Sequence, residues 1–248
     1  AGDGYEVSYQ NAIVGAGRSY LTVGSPPTAA QMNAFDAVVW LTGDDYSTTL
    51  TIADQAELTA YLDGGGRLFM TGQDIGYDIR TEAFYANYLH AAYVQDDVKL
   101  GAVYGNAASP VGTGLAFEIK GGTGANNQLY PSEIDPLGGA QSAFFYDPAV
   151  PEAASPSGTV MKNSDDVGSN GITSSGTAAL SYEGTYRLVY FAFGFEAIAN
   201  AGDRTAVMDR VLDWLQGFPE IVHTPLGDTE DTQNPHRVRA VVLSDFFP

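Results

Sequence analysis

The distribution of apolar residues along the chain predicts an α/β fold. Residues 37–41 and 187–193 are apolar runs without polar alternation, a pattern typical of buried parallel strands, and residues 67–71 form a strand candidate between them. Residues 5–9 are a fourth strand candidate. We expect residues 37–41, 67–71 and 188–193 to be adjacent central strands of a mostly parallel sheet that has helices on both faces.

Helices are predicted between these strands. Thr51 is placed to begin a helix together with Asp54, and the three glycines at positions 64–66 end it. The remaining helix candidates span residues 28–35, 81–90 and 203–215. The alternation of strands and helices favours a doubly wound arrangement of the flavodoxin-like kind.

The middle of the chain has a different pattern. From residue 93 to residue 183, short apolar runs alternate with Gly, Ser, Asn and Pro, which predicts strands and loops in place of helices. The strand candidates there are residues 115–119, 143–146, 159–161 and 178–182. The sequence therefore predicts one α/β domain over residues 1–218, with a β- and loop-rich insertion at about 93–183.

Residues 219–248 are predicted to be an extended C-terminal tail. An acidic linker is followed by an apolar run at residues 237–243, which predicts a single strand that belongs to no domain. A lone strand leaves its backbone donors and acceptors unpaired. We therefore expect it to add to a sheet edge of this chain, to pair with another chain, or to begin a further module.

Charge narrows the classes of function. The chain has 30 acidic and 11 basic residues and a formal charge of −19, which argues against binding to nucleic acid or anionic membranes. The acidity has two explanations: solubility outside the cell or in salt, and calcium sites supplied by aspartate clusters. No apolar run approaches the roughly 18 residues that span a bilayer, and no signal segment stands at the N-terminus. We expect a soluble, exported protein whose signal has been removed.

The chain has no cysteine and three histidines. The absence of cysteine excludes disulfides, thiolate nucleophiles and metals held by thiolates. His90, His223 and His236 lie far apart in the sequence and have no spacing typical of metal ligands. We therefore expect none of them to hold zinc.

A glycine-flanked turn follows the strand candidate at residues 67–71. The run Gly72-Gln73-Asp74-Ile75-Gly76 resembles the Gly-x-Cys-x-Gly nucleophile elbow of the class I glutamine amidotransferase-like superfamily. Asp74 stands at the position of that superfamily's cysteine. The resemblance implies that the strained strand-to-helix corner has been kept while its nucleophile has been replaced.

A second stretch resembles the general-base motif of the same superfamily. Gly194 stands where the family's His-Pro-Glu motif has its histidine, and Glu196 is retained. Without thiol and imidazole, the resemblance implies that amidotransferase chemistry has been lost. Three stretches together resemble degenerate amidotransferase-like domains of large secreted bacterial proteins, which are often associated with peptidases: residues 35–78, 125–131 and 186–214.

This resemblance carries further expectations. The family's fold opens with a strand and a helix that have no counterpart before residue 5, so we expect this first unit to be missing. Residues 223–231 resemble the entry to an Ig-like or β-sandwich module. The resemblance implies an extracellular or cell-surface location, with other domains of the parent protein as partners.

Asp74 is the leading candidate for chemistry. Its carboxylate could act as the nucleophile of a hydrolase, hold a metal or another ligand, or remain with Gln73 as a structural remnant of the elbow. No histidine base is identifiable beside it. Glu196 has the same alternatives, with a catalytic role only if Asp74 is active, and the two carboxylates could share a cation.

Two acidic loops supply oxygen atoms suited to calcium. Asp44 and Asp45 follow a core strand at the edge where doubly wound sheets bind ligands, and Asp165 and Asp166 lie in the predicted insertion. Neither loop matches the twelve-residue EF-hand pattern, so solvated turns are the alternative. We therefore expect no cofactor, and calcium is the alternative that these residues allow.

We therefore expect a non-catalytic accessory, structural or interaction domain of a larger secreted protein. The alternatives are an Asp74-dependent hydrolase acting on esters or glycosides and a calcium-dependent binding module. An incomplete sheet and a spare strand in one chain would also allow strand exchange between copies, and head-to-tail exchange would propagate as a filament.

Overall fold

The computed structural model of the protein describes residues 4–148 and 176–217. The chain divides into a unit of residues 1–216 and a second of residues 217–248. Within the described part, no helix is long and apolar enough to cross a membrane. The predicted strands at residues 159–161 and 237–243, together with Asp165, Asp166, His223 and His236, lie outside the described residues.

The described residues form nine strands and six α-helices. The strands are β1 Val38–Leu41, β2 Arg67–Thr71, β3 Ala91–Gln95, β4 Ala102–Gly105, β5 Ala116–Glu118, β6 Glu133–Pro136, β7 Gln141–Tyr146, β8 Thr177–Glu183 and β9 Arg187–Phe191. The helices are α1 Glu6–Gly15, α2 Ala29–Met32, α3 Ile52–Asp63, α4 Ile75–Ile79, α5 Ala83–Asn87 and α6 Ala201–Gln216, with a 3₁₀ turn at Phe195–Ala197 after β9.

All nine strands belong to one mixed sheet. Its main order is β1-β2-β9-β8-β7-β4-β5, and β6 pairs with both β3 and β8. Only the β1–β2 and β2–β9 pairs are parallel, and the other pairs are antiparallel. The α/β class is confirmed, but the expectation of a mostly parallel, doubly wound sheet is wrong. The link from β8 to β9 is too short for a crossover helix, so these strands must run antiparallel.

The three predicted core strands are all present, but not all of them are central. β2 and β9 are parallel neighbours inside the sheet, with Met70 opposite Tyr190. β1 pairs only with β2 among the described strands and ends the sheet, and its residues are partly buried. The prediction that residues 37–41 form a central strand is therefore wrong. Apolar composition alone did not distinguish an edge strand covered by helices from a central strand.

Helices pack on both faces of the parallel part of the sheet. Side chains alternate between the faces along β2, so Phe69 points to one core and Leu68 and Met70 to the other. The first core includes α1 and α6, and the second includes α2, α3, α4 and α5. Thr51 and Asp54 form the expected capping box at the start of α3.

The chain begins with a helix where the sequence predicts a strand. Residues 5–9 were expected to be extended, yet α1 runs from Glu6 to Gly15 and buries Tyr9, Ala12 and Ile13. The spacing of these buried residues is helical, and it becomes visible only when the pattern is followed beyond residue 9. α1 packs against α6, where Gly15 lies against Thr205.

The segment from residue 75 to residue 136 holds most of the other differences. The helix expected at residues 81–90 is reduced to α5, and the chain turns at His90, whose φ is 51°, to enter β3. α4 directly after the elbow was not predicted. β3, β4 and β6 were not predicted either, because they are short and each is interrupted by a small or polar residue. The predicted strands at β5, β7 and β8 are present.

Candidate ligand cleft at the elbow

The elbow is shaped by two glycines that have no room for a side chain. A Cβ atom on Gly72 would lie 1.9 Å from the hydroxyl oxygen of Thr42, and one on Gly76 would lie 2.5 Å from the hydroxyl of Tyr85. Real Cβ atoms do not approach other atoms so closely. The glycine spacing that resembles the amidotransferase elbow therefore has a steric cause in this structure: the turn packs directly against the neighbouring loop and helix.

Asp74 ends the elbow as the residue before α4. The residue is 3% exposed, and its side chain accepts no hydrogen bond from any residue in the described ranges, including the amides of α4. Burial and neighbouring negative charges together raise the pKa of this carboxyl group to about 7, and burial is the largest cause. The charges that contribute are, in decreasing order, those of Asp96, Asp44, Asp45 and Asp78. Near neutral pH, Asp74 therefore exists in both protonation states.

Asp74 lines an open cleft of about 450 Å³. The other lining residues are Tyr5, Asp44, Tyr46, Gln73, Ala125, Asn126, Asn127, Leu129 and Tyr130. They come from the start of the chain, the loop after β1, the elbow and the segment before β6. The cleft thus lies where the parallel strands β1 and β2 end, which is the usual ligand position in α/β sheets.

The side chain of Gln73 fastens the elbow to the opposite wall. Its Oε1 accepts hydrogen bonds from the backbone amides of Leu129 (2.9 Å) and Tyr130 (3.0 Å). The hydroxyl of Ser132 donates to the backbone oxygen of Gln73 at 2.7 Å and lies 3.3 Å from a carboxylate oxygen of Asp96. The elbow and the segment at residues 129–132 therefore hold each other in place.

A hydrogen-bonded chain runs beneath the cleft from Asp44 to Glu196. The amide nitrogen of Asn127 donates to Asp44 at 2.9 Å and to Glu196 at 2.7 Å. Tyr5 donates to the second oxygen of Asp44, and Tyr9 donates to the second oxygen of Glu196. Glu196 is fully buried and has both oxygens occupied, so it does not line the cleft.

The position of the missing histidine is filled by other side chains. A Cβ atom on Gly194 would lie 2.3 Å from Oε1 of Glu196 and 2.7 Å from the side-chain nitrogen of Gln128. Gln128 accepts a hydrogen bond from the backbone amide of Gly194 (2.7 Å) and donates one to Asn127 (2.9 Å). In this arrangement an imidazole at residue 194 has no space.

The structure separates the predicted acidic residues by role. Asp44 lines the cleft, whereas Asp45 accepts bonds from Thr48 and Ser47 that close the loop after β1. Burial opposes ionisation of Asp45, but these bonds outweigh it and lower its pKa. Among residues 4–148 and 176–217, no group of three acidic or histidine side chains is arranged to hold a metal ion. Calcium binding remains a hypothesis.

His90 packs between tyrosine side chains and does not line the cleft. Its ring stacks on Tyr182, with centroids 3.7 Å apart, and its Nε2 lies 2.9 Å from the hydroxyl of Tyr186. Burial lowers the pKa of this imidazole. His90 therefore stabilises the packing of β8 against the start of β3.

Comparison with solved structures identifies the fold. A ThuA-like protein from Bacteroides uniformis matches with a TM-score of 0.55 and 12% identity, covering 85% of this chain and 82% of that one. A GMP synthase-like protein from Thermoplasma acidophilum matches with a TM-score of 0.53 and 11% identity, covering 87% and 92%. No protein-family model and no curated protein matches the sequence. The chain thus has a glutamine amidotransferase-like fold, and these similarities extend to the fold alone.

Several residues of the site were missed from the sequence. Tyr5 and Tyr9 were assigned to a strand, and Asp96 and Ser132 lie in segments for which no role was predicted. Asn127 and Gln128 were noticed only through the family resemblance. The consecutive amides at residues 126–128, followed by an aromatic residue and proline, are the sequence signal that could have placed this wall of the cleft.

Proposed function

We propose that the chain is a non-catalytic domain of a larger extracellular protein and that it binds a ligand or partner in the cleft at its elbow. The observation that carries this proposal is the packing around Gly194. A Cβ atom there would meet Glu196 at 2.3 Å and Gln128 at 2.7 Å. These two side chains occupy the place of a general base, and both are hydrogen-bonded to Asn127.

The state of the two carboxylates supports the same conclusion. Glu196 is 0% exposed and accepts bonds from Tyr9 and Asn127, so it cannot reach a molecule in the cleft. The described residues that line the cleft with Asp74 include no histidine, and the other carboxylate there, Asp44, is held by Tyr5 and Asn127. Covalent catalysis by a carboxylate requires a second group that activates water for the following step. Binding of a ligand without its chemical conversion requires no such second group, so it is the function that the described residues support best.

The second candidate is an Asp74-dependent hydrolase, which one observation favours. The pKa of Asp74 is raised to about 7, within the range suited to a general acid or base at neutral pH. In such an enzyme Asp74 would activate water directly.

Hydrolysis assays separate the two candidates. Full-length protein is incubated with panels of amides, esters and glycosides, beside Asp74→Asn and a control, Asp36→Asn. Asp36 is exposed and precedes β1, at the far end of that strand from Asp44. We expect no turnover by any of the three proteins. Turnover by the wild type and Asp36→Asn that is lost in Asp74→Asn would overturn the proposed function and establish the hydrolase.

A further inference from the structure

Asp74 is a buried hydrogen-bond acceptor with unmet capacity. A carboxylate can accept about four hydrogen bonds, and none reaches Asp74 from the described residues, although the residue is only 3% exposed. Its oxygens are not fully enclosed by protein, and the space they meet is the cleft. Removing a carboxylate from water without a partner is costly. Because Asp74 lines the cleft, a ligand there is the available source of the missing donors.

The charges around the cleft select the sign of that ligand. Among the described residues, the ten that line the cleft include Asp44 and Asp74 and no lysine or arginine. Asp45, Asp78 and Asp96 act on Asp74 from the loop after β1, from α4 and from the end of β3. The charge of Asp74 also contributes to the raised pKa of Tyr93 on β3. An anion would be repelled from such a site, and a cation would be attracted.

The guanidinium group of Arg80, whose charge acts on Asp96, is engaged with two tyrosine rings. The guanidinium carbon of Arg80 lies 5.3 Å from the ring centres of both Tyr77 and Tyr93. Arg80 lines a separate hollow of about 370 Å³ beyond Tyr46 and does not line the cleft. Its charge acts on Asp96 and Tyr93, whereas the main influences on the pKa of Asp74 are burial and the four neighbouring aspartates.

Aromatic rings provide the second half of a cation site. Tyr5, Tyr46 and Tyr130 line the cleft, and Tyr46 and Tyr130 are 64% and 49% exposed. Tyrosine rings attract organic cations through their electron-rich faces. Leu129, which is 61% exposed, adds apolar surface for an alkyl chain. A bare divalent ion would use neither the rings nor this surface.

We propose that the cleft binds a primary alkylammonium group, which sits against Asp74 and Asp44 with its alkyl chain beside the tyrosine rings. An ammonium group donates up to three hydrogen bonds in different directions, so it can satisfy both carboxylates at once. A lysine side chain of another protein and a free amine share this chemistry. The inference rests on the proposed function, since it assumes that the bound group is held and not consumed.

Binding should be linked to proton release. At pH 7, Asp74 is partly protonated, and the ammonium group binds the carboxylate form, so a fraction of a proton leaves with each ligand bound. Affinity should therefore rise between pH 5 and pH 8. Asp96, Asp44, Asp45 and Asp78 are the neighbouring groups whose charges shift this titration. Tyr93 and Arg80 lie beside Asp96 and are coupled to it, and Tyr93 is also coupled to Asp74.

Calorimetric titration of the full chain tests the proposal. The probes are Nα-acetyl-lysine methylamide for a lysine side chain, 1,5-diaminopentane for a free amine, and the Nε-acetylated lysine derivative as a neutral control. We expect one or both amines to bind, the acetylated control not to bind, and Asp74→Asn to weaken binding about tenfold or more. Asp36→Asn changes the net charge equally and should leave affinity within about twofold. The tighter amine identifies the source of the ligand.

Three results would overturn the proposal. They are no amine binding by the wild type at concentrations of about 10 mM, equal binding of the acetylated control, or equal weakening by Asp36→Asn and Asp74→Asn. If Asp74→Asn does not fold, the wild type still decides the matter through the acetylated control and the pH dependence. If no amine binds, the proposed non-catalytic function still stands, because only Asp74-dependent turnover in the hydrolysis assays would overturn it.

Discussion

The hydroxyl of Tyr9 donates a hydrogen bond of 2.5 Å to the buried carboxylate of Glu196, across 187 residues of sequence. Burial raises the pKa of the Tyr9 phenol well above its usual value, and the charge of Glu196 raises it further, so the phenol remains a donor at any pH at which the protein is handled. The first helix of the described structure thus completes the buried end of the network beneath the cleft.

Gly194→Ala should destabilise the protein without altering the backbone preference of residue 194, whose φ is −76°. The new methyl group would overlap Glu196 and Gln128, and overpacking of this kind costs about 1–3 kcal/mol. Urea unfolding measures the change. Gly24→Ala is the matched control, because a Cβ there meets nothing within 4 Å. Equal stability of both variants would show that the space around Gly194 adapts freely.

Asp74→Asn should stabilise the protein progressively as the pH rises. The pKa of Asp74 is raised on folding to about 7, so the folded state retains a proton that the unfolded state has lost between about pH 4 and pH 7. The free energy of unfolding of the wild type therefore falls as the pH rises from about 4 to about 7. The variant has no titrating group at residue 74 and does not lose this stability. At pH 8 we expect a gain of at least about 1 kcal/mol, or roughly 2–4 °C in melting temperature.

Thermal melts at pH 4.5 and pH 8 measure this linkage, with Asp36→Asn as the control for net charge. The gap between Asp74→Asn and the wild type should widen at the higher pH. A gap that stays constant, or that narrows on raising the pH, would mean that Asp74 has an ordinary pKa in the folded protein.

Asn127→Ala should lower stability by about 1–3 kcal/mol, because Glu196 and Asp44 each lose a donor and Glu196 has no access to water. Asn127→Asp should cost more, since it places a third carboxylate between the two. Asn87→Ala, at an exposed position on α5, is the control. Unfolding curves in which all three variants match the wild type would rule out a role for the network in stability.

Gln73→Ala should loosen the wall of the cleft. The amides of Leu129 and Tyr130 both donate to its Oε1, so their hydrogen exchange should accelerate about tenfold or more in the variant. Gln73→Glu keeps the acceptor oxygen and should preserve the protection of both amides. Unchanged exchange in Gln73→Ala would indicate that other contacts hold this segment.

The sequence predicted local features better than their arrangement. Thr51 and Asp54 indicated the start of α3, and the elbow glycines indicated the turn, because capping and tight packing act over a few residues. The position of β1 at the sheet edge depends on pairing with residues far along the chain, and no local pattern encodes it. The same applies to Tyr9: its partner Glu196 is identifiable only when α1 and the turn after β9 are brought together.

The place of β9 in the sheet has a consequence for the way the chain folds. β9 lies between β2 and β8, so the parallel layer that supports the cleft cannot be completed until residues 187–191 have been synthesised. Residue 68 pairs with residue 188, a separation that is entropically expensive to close and slows folding. On a ribosome, the elbow at residues 72–76 would be synthesised about 110 residues before β9 and would lack this central neighbour during that interval. A chain cut before β9 should therefore expose its apolar strands and aggregate, whatever the quality of its earlier helices.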